Sequence, residues 1–330
     1  MDRKKIRNIL IVGGAGYIGS HVNKELSRNG YKTIVLDNLS TGSEDSVKWG
    51  KFIKGDLGDT DVLDNVFKNH LIDAVMHFAA YKAVAESMID PRKYYQNNVI
   101  NTINLLNVMM RHKIDKFVFS SSAATYGDAR YNPVDELHPQ LPMNPYGRTK
   151  LMIEQVLMDY YHAYGFKSVS FRYFNAVGAD RDSEIGERSG AGLNLIPLVF
   201  DAVFGRKNSI SIFGTNYSTP DGTCVRDYIH VSDLAMAHIK ALSFFDSGGE
   251  YDVFNLGNGK GFSVREVIDT TKKITGVDFN VIETDRRAGD SEIVVADSSR
   301  AQKVLGWSPE YTDLRKIIET VWKWENKKKI

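Results

Sequence analysis

The chain has 330 residues, 42% hydrophobic and 25% charged, with 42 Lys and Arg against 41 Asp and Glu and a formal net charge of +1. That balance excludes a nucleic-acid or anionic-membrane binder held by bulk charge, and no apolar run approaches the ~20 residues of a bilayer-spanning helix. The length suffices for two ordinary domains, and the single cysteine, Cys224, rules out an internal disulfide.

The first residues, Met1-Asp2-Arg3-Lys4-Lys5, lead into a strand with no cleavable apolar segment behind them, so a cytoplasmic protein is expected. Asn8-Ile9-Leu10-Ile11-Val12 is a continuous apolar run, as a strand buried on both faces requires. Gly13-Gly14-Ala15-Gly16-Tyr17-Ile18-Gly19 follows, then a helical pattern over 20–29 stopped by Gly30. Glycines at 13, 16 and 19 allow a sharp turn, close backbone approach to a pyrophosphate and tight helix–strand packing. A second strand over 33–36 ends at Asp37-Asn38. An acid there accepts from an adenosine ribose and repels a 2′-phosphate, which favours NAD over NADP.

The alternation continues with strands at 52–53, 74–78, 116–119 and 168–173. Helices are expected over 60–69, from Pro91 to about His112, and over 145–164. Such alternation predicts a doubly wound parallel sheet, with ligands at the carboxyl ends of its strands. His77 reads as a hydrogen-bonding residue at a strand end, and the eight histidines show no metal-ligand spacing. Past Asn175 the rhythm breaks. Residues 180–192 read as a long polar surface loop or lid, followed by a helix over 195–204 and a strand at 210–213. A helix over 233–245 capped by Ser232 is expected to return to the sheet, and one over 264–275 starts at Ser263 and stops at Gly276. Residues 297–305 and 313–324 close the chain, and Lys327-Lys328-Lys329 reads as a solvated helix end.

The chemistry centres on Asn144-Pro145-Tyr146-Gly147-Arg148-Thr149-Lys150. Pro145 suits a first helical turn, and Tyr146 and Lys150, four apart, project from one face. An ammonium beside a phenol favours the phenolate, which can take a proton from a substrate alcohol.

With these motifs the chain resembles the extended short-chain dehydrogenase/reductase family, and within it the UDP-glucose (UDP-galactose) 4-epimerases. The resemblance rests on GGAGYIG at 13–19, DN at 37–38, DL at 56–57, HFAAYKAVAES at 77–87, SSSAATYG at 120–127 and NPYGRTK at 144–150. It continues through RYFNAVGA at 172–179, GLNLIP at 192–197, DGTCVRDYIHV at 221–231 and RRAGD at 286–290, so it covers essentially the whole length. Val12 departs from the pattern, which usually has threonine before the glycines.

What the resemblance implies is an α/β fold, a doubly wound Rossmann-like parallel sheet with a second, smaller α/β substrate lobe. Residues 1–176 would bind NAD, with a return near 227–257, and 177–330 would mainly bind a UDP-hexose. Tyr146 would act as base and acid for the sugar 4-hydroxyl, Lys150 would hold the nicotinamide ribose and depress the tyrosine pKa, and Ser122 would bond the same hydroxyl. NAD would further be held by Gly13, Gly16, Tyr17, Ile18, Gly19, Asp37, Asn38, Asp56, Leu57, Phe78, Ala79, Ala80, Lys82, Asn97, Ser120 and Tyr173. The UDP-sugar would meet Lys82, Phe174, Asn175, Asn194, Leu195, Phe213, Arg226, Tyr228, Arg287, Asp290 and Val294, with no metal. Where relatives carry a tyrosine that excludes an acetamido group, this chain has Val294, which implies that UDP-N-acetylhexoses also enter. The helices around 94–110 and 150–161 carry more apolar residues than one buried face needs, and the resemblance implies that they pair in a homodimer. A 4,6-dehydratase or UDP-glucuronate decarboxylase is the nearest alternative, although Ala123-Ala124-Thr125 lacks the carboxylates that the dehydratases carry there. A non-catalytic NAD-sensing regulator is a further alternative, but such proteins typically lose the tyrosine–lysine pair.

Overall fold

The computed structural model describes residues 5–188, 194–287 and 290–327. The first half runs β1 (Asn8–Val12), α1 (Tyr17–Arg28), β2 (Lys32–Asp37), β3 (Lys51–Lys54), α2 (Thr60–Asn69), β4 (Ala74–His77), α3 (Val84–Ile89), α4 (Pro91–Tyr94), α5 (Asn101–Arg111), β5 (Lys116–Ser122), α6 (Pro145–Tyr164) and β6 (Lys167–Tyr173). The second half runs β7 (Asn175–Val177), α7 (Leu195–Val203), β8 (Ser209–Phe213), β9 (Val225–His230), α8 (Val231–Asp246), β10 (Tyr251–Leu256), β11 (Gly261–Ser263), α9 (Val264–Thr275), β12 (Asn280–Thr284), β13 (Ile293–Val294), α10 (Ser299–Leu305) and α11 (Leu314–Lys327). None of the described helices is long and apolar enough to cross a membrane.

Seven parallel strands form one sheet in the order β10-β6-β5-β4-β1-β2-β3. Its strands are apolar on both sides because both faces are covered. Ile9 and Ile11 turn to the face packed by Val22 and Leu26 of α1 and Leu234 of α8. Leu10 and Val12 turn to the face packed by Leu63 of α2, Leu105 of α5 and Ile153 of α6. The two-residue period of a strand makes that division without further instruction.

The return to the sheet is made by β10 after α8. The cap of α8 is His230, whose side chain accepts from Ser232 N, so Ser232 is the second residue of the helix rather than its cap. Helix α1 starts at Tyr17, three residues before the apolar periodicity sets in. The segment after Pro91 is not one α-helix: residues Tyr95–Ile100 wind as a π-helix between α4 and α5. The second lobe is built on β7, β9, β11 and β13, with β8 and β12 as a separate parallel pair. Helices α7, α9 and α11 close its core around Ile196, Val267 and Ile317.

Candidate active site

Strand order reverses between β1 and β4, and a cleft opens there at the carboxyl ends of the strands. It is lined by Gly13, Gly16, Asp37, Asn38, Asp56, Leu57, Phe78, Ala79, Ala80 and Asn97, all expected from the sequence. Gly13 has φ +79°, and a Cβ on it would overlap the backbone nitrogen of Ala79. A Cβ on Gly19 would come within 2.8 Å of Gly14 Cα. The turn is therefore closed by backbone against backbone, a cradle into which a diphosphate fits with no side chain in its way. Asp37 is buried, its carboxylate accepting from Ala15 N at 2.9 Å and Leu39 N at 2.8 Å. Burial raises its pKa while those two amides pull it down. Asn38 Nδ2 donates to Asp56 at 2.5 Å, tying the ends of β2 and β3 together.

Other expected residues stand elsewhere. The Tyr17 hydroxyl donates to Gly178 O at 2.6 Å, out of the cleft, and Ile18 and Gly19 are not among its lining. Lys82 is more than half exposed and its Nζ lies 3.4 Å from Glu187. Ser40, Thr41 and Tyr81 also line the cleft; Tyr81 sits within the 77–87 motif, whereas Ser40 and Thr41 carry no motif that would have marked them. Tyr81 is held by Asn98 of the π-helical stretch, which accepts from Tyr81 N at 2.9 Å and donates to Tyr81 O at 3.0 Å and Thr149 Oγ1 at 3.2 Å. The wider winding turns Asn97 into the cleft and Asn98 onto α6.

Tyr146 opens α6, whose Asn144 cap accepts from Gly147 N. Its side chain lies near Ser122 at the end of β5, close enough for Ser122 to pull its pKa down. Lys150, one turn on, is buried and donates to Ser120 O at 2.6 Å, with its Nζ 5.9 Å from the Tyr146 ring centre. Burial pushes the Lys150 pKa down to about 7, opposed by Glu154 a further turn along. Burial raises the Tyr146 pKa, with Ser122 pulling the other way. The expectation has Lys150 depress the tyrosine pKa with help from a bound nicotinamide; in the chain by itself Lys150 is not among the causes that act on Tyr146. Its ammonium is bonded to the Ser120 carbonyl, and desolvation of the phenolate is the larger effect.

Beneath this face lies a buried ion pair that the sequence reading missed. Arg172 Nη2 donates to Glu154 at 2.6 Å, and its Nη1 donates to the Tyr126 hydroxyl at 2.9 Å. An arginine between Phe171 and Tyr173 near the carboxyl end of a buried strand was the available signal. His77 Nε2 lies 2.8 Å from Thr102 Oγ1, in the strand-end role expected of it. Tyr173 is buried, and its hydroxyl donates to His238 Nε2 at 2.8 Å, since His238 Nδ1 faces the Leu234 carbonyl.

On the facing lobe, Asp290 receives a fork from Arg287, at 2.8 Å from Nη2 and 3.2 Å from Nε, and lies 3.9 Å from Arg226 Nη2. The Arg287 guanidinium also sits 5.4 Å from the ring centre of Phe213, which is exposed. Val294 pairs with Arg226 across β13 and β9 and packs in a small cluster with Phe174 and Ala123, next to Ser122. Asn175 donates to Asp227 O at 2.9 Å, Asn194 caps α7 ahead of Leu195, and Tyr228 is buried in the lobe core. The first part of GLNLIP and residues 288–289 of RRAGD lie outside the described residues, as do Lys328 and Lys329.

Residues 9–257 match the NAD dependent epimerase/dehydratase family. The chain is 50% identical over 321 residues to a UDP-glucose 4-epimerase of Rhizobium meliloti, covering 97% of this chain and 98% of that one. The UDP-glucose 4-epimerase of Brucella ovis, solved in complex with NAD, superposes with a TM-score of 0.93 at 46% identity, over 95% of this chain and 97% of that one. The UDP-Glc/GlcNAc 4-epimerase of Campylobacter jejuni superposes with a TM-score of 0.87 at 43% identity, over 97% and 99%.

Proposed function

The chain belongs to the NAD dependent epimerase/dehydratase family, and from that membership we infer that it is an isomerase that interconverts UDP-glucose and UDP-galactose at C4, with NAD as its cofactor. The observation that carries the reading is Tyr146 beside Ser122 with buried Lys150 one turn away, together with the Arg287–Asp290–Arg226 cluster of the second lobe. NAD supplies a reversible two-electron acceptor for C4, and no net redox results. Tyr146 takes the 4-hydroxyl proton as the 4-keto sugar forms and returns it after the sugar has turned over. Ser122 orients that hydroxyl. Lys150 anchors the cofactor ribose, and Gly13, Gly16, Asp37, Asn38, Asp56 and Asn97 hold the rest of the dinucleotide. Arg226 and Arg287 bind the UDP diphosphate, a role for which paired guanidinium forks are suited. Phe213 supplies a stacking face, and Asn175 and Phe174 border the sugar.

In this reading residues 1–176, with the return near 227–257, form the NAD-binding domain, and the remainder mainly holds the UDP-sugar. The short Val294 side chain beside Phe174 leaves room for a 2-acetamido group, so UDP-N-acetylglucosamine and UDP-N-acetylgalactosamine are also substrates. The Campylobacter relative, described as acting on both sugar types, supports that breadth. A homodimer pairing α5 and α6, in a reducing cytoplasm that suits the buried thiol of Cys224, completes the proposal. The 4,6-dehydratase alternative is not favoured, because Ala123–Thr125 follow Ser122 as a short turn with no carboxylate. Incubation with UDP-galactose must yield UDP-glucose without added reductant; failure to do so overturns the reading.

A further inference from the structure

The stretch 180–192 is expected as a long polar surface loop or lid, and its described part, with residues 178–179 before it, is pinned along its length. Gly178 O accepts from Tyr17, and Ala179 N donates to Thr320 Oγ1 at 3.0 Å. Three carboxylates then converge on Lys24 Nζ: Asp180 at 2.5 Å, Glu184 at 2.6 Å and Asp182 at 3.0 Å. The Lys24 side chain is 3% exposed and Asp180 only 4%, whereas Asp182 and Glu184 are 45% and 42% exposed. Arg28 takes Asp182 from the outer side. Further on, Glu187 pairs with Lys82 at 3.4 Å, Trp324 Nε1 donates to Glu187 O at 3.1 Å, and Arg188 Nη1 reaches Gly42 O at 3.5 Å.

The points touched on the first domain outline the cofactor cleft. Tyr17 follows Gly16, Lys82 follows Tyr81 and Gly42 follows Thr41, and the three preceding residues all line it. A dinucleotide leaving over that rim has to displace the segment. Lys24 is the keystone because it is the buried cation that the three acids share. Their oxygens lie within 4.8 Å of one another, so without the ammonium they repel, and buried Asp180 loses its closest cation. Burial pulls the Lys24 pKa down, but the bonds from Asp180, Glu184 and Asp182 more than restore it, so the ammonium stays charged.

We propose that Lys24 is a positioning residue for cofactor retention: by gathering Asp180, Asp182 and Glu184 it locks segment 178–188 across the rim of the cleft and slows NAD release. The proposal rests on the epimerase reading for its purpose, since cofactor lost mid-cycle would strand the keto sugar, but its test does not. Holoenzyme is placed in excess NAD-consuming glycohydrolase and the bound NAD per chain is followed with no sugar present. Lys24→Met is expected to release NAD roughly tenfold faster or more, as loss of a buried ion pair implies. Lys24→Arg, which keeps the charge, is expected to hold NAD nearly as well as wild type. Asp182→Asn combined with Glu184→Gln removes the two half-buried acids and serves if Lys24→Met does not fold; it too is expected to release NAD faster. An unchanged release rate overturns the proposal, as does equal release from the arginine and methionine variants. Acceleration seen only near the melting temperature would assign Lys24 to the fold alone. A wild-type protein inert toward UDP-galactose would sink the epimerase reading and leave this comparison standing.

Discussion

Lys150 shows what a buried ammonium costs the folded chain. Moving its pKa from 10.5 to about 7 disfavours the charged form by roughly 5 kcal/mol. Because the folded pKa is depressed, the unfolded chain holds between pH 7 and 10.5 a proton that the folded chain has released. Stability therefore rises with pH across that window. The bond to Ser120 O that Lys150→Met deletes is worth about 1.5–3 kcal/mol, so the desolvation penalty wins. Calorimetry of NAD-free protein at acidic pH is expected to show a higher Tm for Lys150→Met, and no rise in stability from that group toward alkaline pH; a lower Tm would mean the hydrogen bond dominates. Tyr146→Phe keeps the ring and its packing, so NAD stays bound while turnover falls about 10²–10⁴-fold, the usual worth of a general acid–base. Near wild-type turnover in that variant would remove Tyr146 from the mechanism. At Val294 the question is size. Val294→Tyr is expected to suppress epimerisation of UDP-N-acetylglucosamine far more than that of UDP-galactose, since a clash discriminates more sharply than a lost apolar contact of about 1–3 kcal/mol. If the tyrosine leaves the N-acetyl activity untouched, the gate lies elsewhere.

The unit β1–turn–α1 and the long helix α6 both depend on glycine, for different reasons. Gly13 at φ +79° lies against the backbone of Phe78 and Ala79, so a methyl group there must push β4 and its loop away. Gly165 ends α6 at φ +66° with nothing within 4 Å of where a Cβ would stand. Gly13→Ala is therefore expected to be purified without NAD, judged by the ratio of absorbance at 260 and 280 nm. Gly165→Ala should retain NAD and lose only the backbone cost of a left-handed residue, about 1–2 kcal/mol. Equal NAD content in the two variants would mean that the close approach at Gly13 has no bearing on the cofactor. The π-helical turn over Tyr95–Ile100 works by the opposite device, one extra residue in the winding, which carries Asn97 and Asn98 to two different neighbours.

Across the whole molecule, Ile100, Met152 and Met158 remain 40–47% exposed, although the helical segments that carry them also pack on the sheet. Thioether and aliphatic side chains left exposed on α6 and on the π-helical stretch suit a second copy of the chain. Light scattering is expected to give a dimer at micromolar concentration and a monomer for Met152→Glu; a wild-type monomer defeats the pairing. The local sequence determined the strand–glycine–helix unit, the helix stops at Gly165 and Gly276, and the one-turn spacing of Tyr146 and Lys150. Each of those depends on residues within a few positions of one another, where φ preference, periodicity and capping act. What the tertiary structure decided is which distant segments meet. Lys24 finds Asp180 after 156 residues, and Arg172 of β6 meets Glu154 of α6 beneath the catalytic face. The polar run reads only as a surface loop or lid in the sequence, because the charges of Asp180, Asp182 and Glu184 look solvated until Lys24 is brought to them. The same division holds at Tyr146: spacing on a helix places two side chains on one face, but burial and the Ser120 carbonyl decide where the ammonium points and which ionised form is desolvated.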